Sequence, residues 1–152
     1  MNRLQPLLNA SEIETFWEEV FPQIGMDGPH YRVEATFPGG ARLRLDAGER
    51  HLRPGGTISG PAMFTLCDLA CYAALIAHIG PVALAVTTNL NINFMRKPAP
   101  GSLWCDAHIL KLGKSLAVIE CALYSQGSRD EPVAHAVATY SIPPRDSGAR
   151  KA

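Results

Sequence analysis

Six stretches of the chain have the hydrophobic and polar patterning of β-strands. Two of them, 31–37 and 41–45, alternate apolar and polar side chains with a period of two, and Pro38-Gly-Gly between them has hairpin composition. Four further strand-like stretches are separated by turn residues: Val82 to Phe94, Leu103 to Leu110, Leu116 to Tyr124 and Pro132 to Ile142. The pattern therefore predicts a hairpin followed, after an interruption, by four more strands.

The segment that separates the hairpin from these four strands runs from Gly60 to Gly80. Folded as a helix, it would be apolar on nearly every side. It is long enough to suggest a membrane span, but it contains Pro61, Asp68 and His78, and no second span accompanies it. A helix without a polar face must be enclosed by other elements. We therefore predict an α+β fold in which an antiparallel sheet of about six strands wraps around one long central helix.

The two ends of the chain are predicted to be a short helix and a polar tail. Ser11-Glu-Ile-Glu14 has the spacing of a capping box, and Pro22 follows, so a helix is expected over about 9–21. The tail at about 145–152 is expected to be frayed. A length of 152 residues suits one domain, so residues 1–152 are predicted to form a single domain.

Composition narrows the possible functions. The 14 basic and 14 acidic side chains cancel, and 47% hydrophobic against 18% charged residues excludes a disordered chain. A neutral chain lacks the cationic excess of sequence-independent nucleic-acid binding and the polybasic patch of a membrane-surface protein. We expect neither a nucleic acid nor a membrane as a partner.

The four cysteines, Cys67, Cys71, Cys105 and Cys121, form no Cys-x-x-Cys pair. The first two lie four apart in the apolar helix and are predicted to be small core residues rather than a disulfide or a zinc site. The five histidines show no metal-ligand spacing, so no metal site is predicted. Together with an N-terminus that lacks an apolar signal segment, this cysteine usage predicts a cytoplasmic protein.

Asp68 is the first candidate for chemistry, because it is the one charged side chain between Pro54 and Met95 if His78 is neutral. A buried carboxylate must be protonated, paired or placed at a cleft. Two interpretations follow. Either Asp68 is a structural residue bonded to nearby hydroxyls such as Thr65 or Tyr72, or it is a functional carboxylate.

The start of the long helix is the second candidate. Pro61 suits the first helical position, and the free N–H groups and positive dipole end then lie around Ser59, Gly60 and Ala62. The Gly60 N–H is placed to bind a carbonyl oxygen that becomes an oxyanion, although the same residues start many ordinary helices. Gly60 and Asp68 are about 12 Å apart along a helix, so joint use of both on one carbonyl predicts a homodimer with sites at its interface.

Three segments carry a resemblance to a known family. Gly56-Thr-Ile-Ser-Gly-Pro-Ala-Met-Phe-Thr-Leu-Cys-Asp-Leu-Ala resembles the signature loop and helix start of hot-dog-fold acyl-CoA thioesterases of the phenylacetate-pathway type. In that family, Gly-Thr-x-His-Gly-Gly is followed, eight residues after its first paired glycine, by an aspartate. Val86-Thr-Thr-Asn-Leu-Asn-Ile-Asn-Phe-Met-Arg-Lys-Pro looks like the family's next strand, and Ala134-His-Ala-Val-Ala-Thr-Tyr like its last.

The resemblance implies hydrolysis of an acyl-CoA thioester, with coenzyme A as part of the substrate and no other cofactor. It implies Asp68 as nucleophile or as base for water, Gly60 N–H as the group that polarises the carbonyl, and Thr87 as a hydroxyl that positions water. Ser59 and Pro61 replace the family's histidine and second glycine, and Arg53 replaces an asparagine. These departures keep open an alternative, a non-catalytic module of the same fold that binds an acyl-CoA or a partner protein.

The expected substrate-binding residues are Ser59, Arg53, Phe64, Thr65, Tyr72, Asn89, Arg96, Lys97 and Lys114. The acyl group is expected along the helix face that holds Phe64, Tyr72 and Leu75, and the basic residues at turns either bind coenzyme A phosphates or are simply solvated. By alternation, Thr87 shares one strand face with Asn89, Asn91 and Asn93. A homodimer, or a dimer of dimers forming a homotetramer, is expected.

Overall fold

A computed structural model describes residues 4–144, so the predicted frayed tail at 145–152 and the first three residues lie outside the described part of the chain. Six strands form one antiparallel sheet in the order β1-β2-β4-β5-β6-β3. The strands are β1 Tyr31–Phe37, β2 Gly40–Asp46, β3 Val86–Phe94, β4 Ser102–Leu112, β5 Leu116–Ser125 and β6 Ala134–Ser141. The helices are α1 Ala10–Val20 and α2 Gly60–Ile79, with short 3₁₀ turns at Pro22–Gly25 and Glu49–His51.

The long helix α2 forms the centre of the fold and packs against all six strands. Fifteen of its 20 residues are buried. By length and composition α2 would also suit a membrane span, but 83% of its most apolar window is buried inside the protein. The prediction of a sheet wrapped around one enclosed helix is therefore confirmed, because only a curved sheet can cover a helix that is apolar on nearly all sides.

The first helix begins two residues earlier than its predicted capping box. Asn9, not Ser11, is the N-cap: the Glu12 N–H donates to Asn9 Oδ1 at 2.8 Å, and Glu12 Oε1 accepts from the Asn9 N–H at 3.0 Å. Both pairs have the same sequence spacing, so the sequence alone does not choose between them. The choice follows from the preceding Leu7 and Leu8, whose N–H groups donate to the Ala77 carbonyl of α2 and fix where the helix starts.

Strand β3 lies at one edge of the sheet and contains a β-bulge. Its pairing with β6 changes from Thr87 opposite Tyr140 to Asn89 opposite Thr139, which leaves Thr88 as one extra residue. An extra residue breaks the period of two, so residues on either side of it no longer alternate in phase.

Because of the bulge, the side chains of β3 do not lie on the sheet faces predicted for them. Thr87 lies on the helix side of the sheet, together with Leu90 and Ile92, which pack against the core. The side chains that the alternation grouped with Thr87 are exposed instead: Asn89, Asn91 and Asn93. The prediction was wrong for Thr87 because a pattern of two cannot reveal an inserted residue.

All four cysteines are free and buried, and the prediction that Cys67 and Cys71 are core residues is confirmed. The sulfurs of Cys67, Cys105 and Cys121 lie within 4.8 Å of one another, and the Cys71 sulfur is 3.9 Å from that of Cys121. By spacing, the first three could surround a soft metal ion. Burial raises the pKa of Cys105 well above its usual value, whereas hydrogen bonds from the neighbouring cysteines, Cys105 first, lower the pKa of Cys121.

Candidate active site

Asp68 lies half-buried in the middle of α2, and its carboxylate is bonded on one side only. Oδ1 accepts a hydrogen bond from Thr87 Oγ1 at 2.5 Å and another from the Tyr140 hydroxyl at 2.5 Å. The Tyr140 hydroxyl is also 2.8 Å from the Asp68 main-chain carbonyl. Thr87 and Tyr140 are direct neighbours across β3 and β6, so a single cross-strand pair holds the carboxylate.

The two hydroxyls predicted from the helix do not bind Asp68. Thr65 Oγ1 donates to the Pro61 carbonyl at 3.0 Å, and the Tyr72 hydroxyl donates to the Ala83 carbonyl at 3.1 Å. A threonine within a helix commonly bonds the carbonyl four residues before it. The structural interpretation was therefore correct that hydroxyl groups bind Asp68, but these hydroxyls come from β3 and β6 and not from α2.

The second carboxylate oxygen of Asp68, Oδ2, accepts no hydrogen bond from residues 4–144 and is not enclosed by protein atoms. It lies at a cleft of about 200 Å³, which we call the Asp68 cleft. The lining residues are Phe21, Asp68, Leu69, Tyr72, Ala83, Ala85, Val86, Thr87 and Tyr140. One oxygen is thus fixed while the other is available to a ligand.

Tyr140 is a neutral hydrogen-bond donor to Asp68. Burial, followed by the negative charge of Asp68, raises the pKa of Tyr140 far above its usual value. Hydrogen bonds to a carboxylate are roughly twice as strong as those between neutral groups. The proton therefore stays on the phenol, and the phenol holds the carboxylate in one orientation.

At the start of α2, Ser59 is the N-cap and its Oγ accepts from the Ala62 N–H at 3.3 Å. Pro61 supplies no N–H, and the Gly60 N–H donates to no acceptor among the described residues. A side chain at Gly60 would lie 3.5 Å from the Phe94 ring. Gly60 N–H is thus a free donor at the positive end of the helix, as predicted for it.

A larger cavity of about 370 Å³ opens beside this helix start, and we call it the helix-entry cavity. Ser59 and Thr65 line it from the cap and the first turns of α2, and Tyr31 and His51 line it from β1 and the 3₁₀ turn at Glu49–His51. Phe21 and Leu69 line both this cavity and the Asp68 cleft. The two spaces are therefore neighbours along the same side of α2.

The structure divides the remaining predicted site residues into two groups. Tyr72 lines the Asp68 cleft, and Ser59 and Thr65 line the helix-entry cavity. The following predicted residues line neither space: Arg53, Phe64, Asn89, Arg96, Lys97 and Lys114. Leu75 is fully buried, so the predicted acyl-binding face of α2 is wrong at that position.

Several of the residues outside these spaces have contacts of their own. Arg96 donates to the Pro132 carbonyl at 2.7 Å, and Asn89 accepts from Asn91 at 3.1 Å. Phe64, 40% exposed, and the two lysines Lys97 and Lys114 face solvent. Their roles in coenzyme A binding stay predictions.

Tyr140 is the functional residue that the sequence analysis missed. Its strand, Ala134–Ser141, consists mostly of small side chains, and Tyr140 is its one large buried residue. A single buried tyrosine near the end of a strand of small residues is a usable signal. This signal does not show which residue Tyr140 contacts, however, because Tyr140 reaches Thr87 only through the register of β6 against β3.

Comparison with known proteins decides the family. The family model of the thioesterase superfamily matches residues 55–131, about half of the chain. The chain belongs to the thioesterase superfamily. The matched segment of this superfamily member contains Gly60, Asp68 and Thr87, whereas α1, the β1–β2 hairpin and Tyr140 lie outside it.

Relatives of this superfamily member agree with the assignment. A solved structure from Silicibacter sp. TM1040, described as a putative thioesterase, is 46% identical and has a TM-score of 0.83, covering 94% of this chain and 97% of the other. A protein of Saccharolobus solfataricus, described as a putative esterase, is 29% identical over 127 residues, which are 82% of this chain and 81% of the relative.

The hot-dog fold is also shared with a more distant structure. A mutant of the phenylacetic acid degradation protein PaaI from Thermus thermophilus is 23% identical, with a TM-score of 0.66 over 85% of this chain and 99% of the other. The predicted hot-dog fold and the resemblance to thioesterases are confirmed, and the likeness to the phenylacetic acid degradation protein is one of fold. Membership in the superfamily supports thioester hydrolysis as the general activity.

Proposed function

We propose that the protein hydrolyses an acyl-CoA thioester to a free acid and coenzyme A, with Asp68 as the reacting carboxylate. One observation carries the proposal: Oδ1 of Asp68 is held by two hydroxyls, while Oδ2 is free at a cleft. A carboxylate fixed in this way has one oxygen positioned for chemistry and loses little freedom when a substrate binds.

Two routes use the free oxygen. As a base, Oδ2 takes a proton from water while the water oxygen adds to the thioester carbonyl carbon; the carbon–sulfur bond then breaks and coenzyme A leaves as a thiolate that takes up a proton. As a nucleophile, Oδ2 adds to the carbonyl carbon itself, the carbon–sulfur bond breaks and coenzyme A leaves as a thiolate that takes up a proton; water later hydrolyses the resulting anhydride to the free acid and the Asp68 carboxylate. Thr87 and Tyr140 orient Asp68 in both routes.

The Gly60 N–H is the proposed donor to the carbonyl oxygen as that oxygen becomes negative. A single donor of this kind is worth roughly 2.7–4 kcal/mol in the barrier. Gly60 and Asp68 of one protomer are too far apart for one carbonyl, at about 12 Å along the helix. We therefore propose a homodimer, or a dimer of dimers, in which Gly60 of one protomer faces Asp68 of its partner.

The edge strand β3 supports this association. Beyond β3 no other strand of residues 4–144 continues the sheet, so its outer N–H and C=O groups can pair with a second copy of the chain. Arg53, Arg96, Lys97 and Lys114 remain the proposed contacts for coenzyme A phosphates. Four unoxidised cysteines support a cytoplasmic location.

The test is release of coenzyme A thiol from a panel of acyl-CoA esters by the wild type and by Asp68→Asn. We expect the variant to be at least about 100-fold slower, because the amide is neither a base nor a nucleophile. Asp130→Asn, at an exposed carboxylate in the β5–β6 turn, is the matched control. Equal rates for wild type and Asp68→Asn would remove Asp68 from the mechanism.

The alternative function is a non-catalytic acyl-CoA-binding module. It is favoured by one observation: Ser59 Oγ is used as the helix cap and Pro61 has no N–H, so Gly60 alone supplies a free donor at the helix start. Tight binding of acyl-CoA esters without turnover across the panel would select this alternative.

A further inference from the structure

The helix-entry cavity contains a buried donor that the proposed mechanism does not use. Nδ1 of His51 accepts a hydrogen bond from the Gly48 N–H at 2.9 Å, so Nδ1 carries no proton. Burial lowers the pKa of His51, which favours the neutral ring. In a neutral ring whose Nδ1 is an acceptor, Nε2 carries the proton and is a donor.

The Nε2–H of His51 donates to no oxygen or nitrogen acceptor among residues 4–144. The whole residue is only 7% exposed, yet Nε2 is not one of the enclosed unpartnered polar atoms, so solvent reaches it. Of the clefts described here, His51 lines only the helix-entry cavity. A ligand acceptor that replaces water at this donor gains the net value of one hydrogen bond, about 0.5–1.5 kcal/mol.

His51 lies directly beside the start of α2. The Ser59 N–H donates to the His51 carbonyl at 2.8 Å, and Leu52 forms a β-bridge with Ile58. A carbonyl bound at the Gly60 N–H would therefore have the helix-entry cavity next to it on the same protomer. This is the space into which the acyl group of such a thioester would extend.

The rest of the cavity lining combines apolar and polar side chains, and Tyr31, beside His51, is a second neutral donor. Phe21, Ile24 and Leu69 supply apolar surface. The Tyr31 ring meets the His51 ring edge to face at 5.7 Å, and burial raises the pKa of Tyr31, which keeps its hydroxyl protonated. A concave space in which polar groups converge beside apolar surface is typical of a small-molecule site.

The cavity does not favour an anionic acyl tail. Arg50, the one arginine or lysine in its lining, already forms an ion pair with Asp27. The unpartnered group is a neutral N–H, which suits a neutral oxygen such as a ketone or an ether.

We propose that the helix-entry cavity is the acyl-group pocket, and that His51 Nε2–H selects acyl chains carrying a neutral oxygen acceptor over plain hydrocarbon chains. This inference rests on the proposed acyl-CoA function and specifies its substrate class. His51 is a specificity-determining residue here and takes no part in the bond-breaking step.

The test compares hexanoyl-CoA with its 4-oxo and 5-oxo analogues, which differ from it by one ketone oxygen. The wild type is expected to prefer the better oxo analogue by about tenfold in kcat/KM, the value of one buried hydrogen bond. Two substitutions separate the donor from the structural role of His51. His51→Asn keeps an acceptor for the Gly48 N–H but loses the distal donor, and His51→Gln keeps a distal donor but loses that acceptor.

The ratio of kcat/KM for the better oxo analogue to that for hexanoyl-CoA should fall to about one in His51→Asn and persist in His51→Gln. The control is His108→Asn, at an exposed histidine of β4. Equal kcat/KM values for all three thioesters in the wild type, or an unchanged preference in His51→Asn, overturn the inference and leave the proposed hydrolysis standing. If the wild type hydrolyses none of them, the proposed function fails instead. In that case the dissociation constants of the oxo analogues and of hexanoyl-CoA, measured by calorimetry, test the inference separately: tighter binding of an oxo analogue supports it, and equal binding overturns it.

Discussion

The two oxygens of the Asp68 carboxylate have different surroundings, because side chains from two strands bind only one of them. Thr87 and Tyr140 bind the same oxygen and leave the other free. Since the phenol of Tyr140 is held in its neutral form by burial, it donates throughout the physiological pH range. The sequence showed Asp68 as a lone carboxylate in an apolar segment. It did not show which of the two carboxylate oxygens is bonded and which is free.

Replacing Tyr140 by phenylalanine is expected to lower kcat by roughly 10–100-fold with a small change in KM. The reason is that a hydrogen bond to a charged group is worth about 1.5–3 kcal/mol, while Tyr140 positions Asp68 and contributes little to substrate binding. Steady-state hydrolysis of the best acyl-CoA substrate measures both constants.

The matched control is Tyr124→Phe, whose hydroxyl binds Asp106 away from the Asp68 cleft. An equal loss of kcat in Tyr124→Phe and Tyr140→Phe would assign the effect to general stability. Thermal unfolding of both variants separates the two explanations.

The bulge in β3 determines which side chain of that strand faces the helix. Thr87 and Leu90 are three residues apart and lie on the same side, because Thr88 is an extra residue between them. Regular alternation would have placed Thr87 on the exposed side with Asn89. As long as Thr88 is present, the bulge that accommodates it keeps Thr87 on the helix side of the sheet.

Deleting Thr88 is expected to keep the Thr87–Asp68 contact. Without the extra residue, Thr87 stays opposite Tyr140 and Asn89 opposite Thr139, and regular alternation then holds. Activity should stay within about tenfold of the wild type, while Thr87→Val, which removes a hydrogen bond to a charged group, should lose more.

Acyl-CoA hydrolysis by the two variants, with circular dichroism to confirm folding, measures the difference. A loss in the Thr88 deletion as large as that in Thr87→Val would show that the twist of the bulge itself aims the hydroxyl.

In the assembled protein, the proposed active site is divided between two copies of the chain. α2 is enclosed by its own sheet, yet its start and its middle each present one reactive group to the outside: the Gly60 N–H and the Asp68 carboxylate. Because both groups belong to one continuous helix, they cannot approach each other within one protomer.

A mixture of two inactive variants tests this division. Asp68→Asn lacks the carboxylate, and Gly60→Pro lacks the N–H; Ser59, extended at φ −74° and ψ 156°, is already suited to precede a proline. In a twofold dimer, one of the two sites of each mixed dimer is intact, so a random mixture regains about a quarter of the wild-type activity.

The mixture is prepared by refolding the two variants together, and thiol release is measured. Gly60→Ala, which keeps the N–H, is the matched control and should lose less activity than Gly60→Pro. A mixture no more active than its two components would place the whole site within one protomer.

Much of the fold followed from local patterns. The six strands, the enclosed helix and the core position of Cys67 and Cys71 were all predicted, since period-two alternation, an all-round apolar helix and turn residues are properties of short segments. The prediction failed at the α1 cap and at the β3 faces. In both cases two local solutions were equally good, and contacts distant in sequence made the choice: Leu7 and Leu8 with Ala77, and β3 with β6.

Local patterns along the chain were enough to predict a lone carboxylate on a buried helix and a free N–H at the start of that helix. Long-range packing was needed to bring Thr87 and Tyr140 to the carboxylate and to turn His51 toward a cavity beside Gly60. The physical reason is that backbone propensity and hydrophobic periodicity act within a few residues. Strand register and cavity shape instead arise from pairing and packing between segments that lie far apart along the chain.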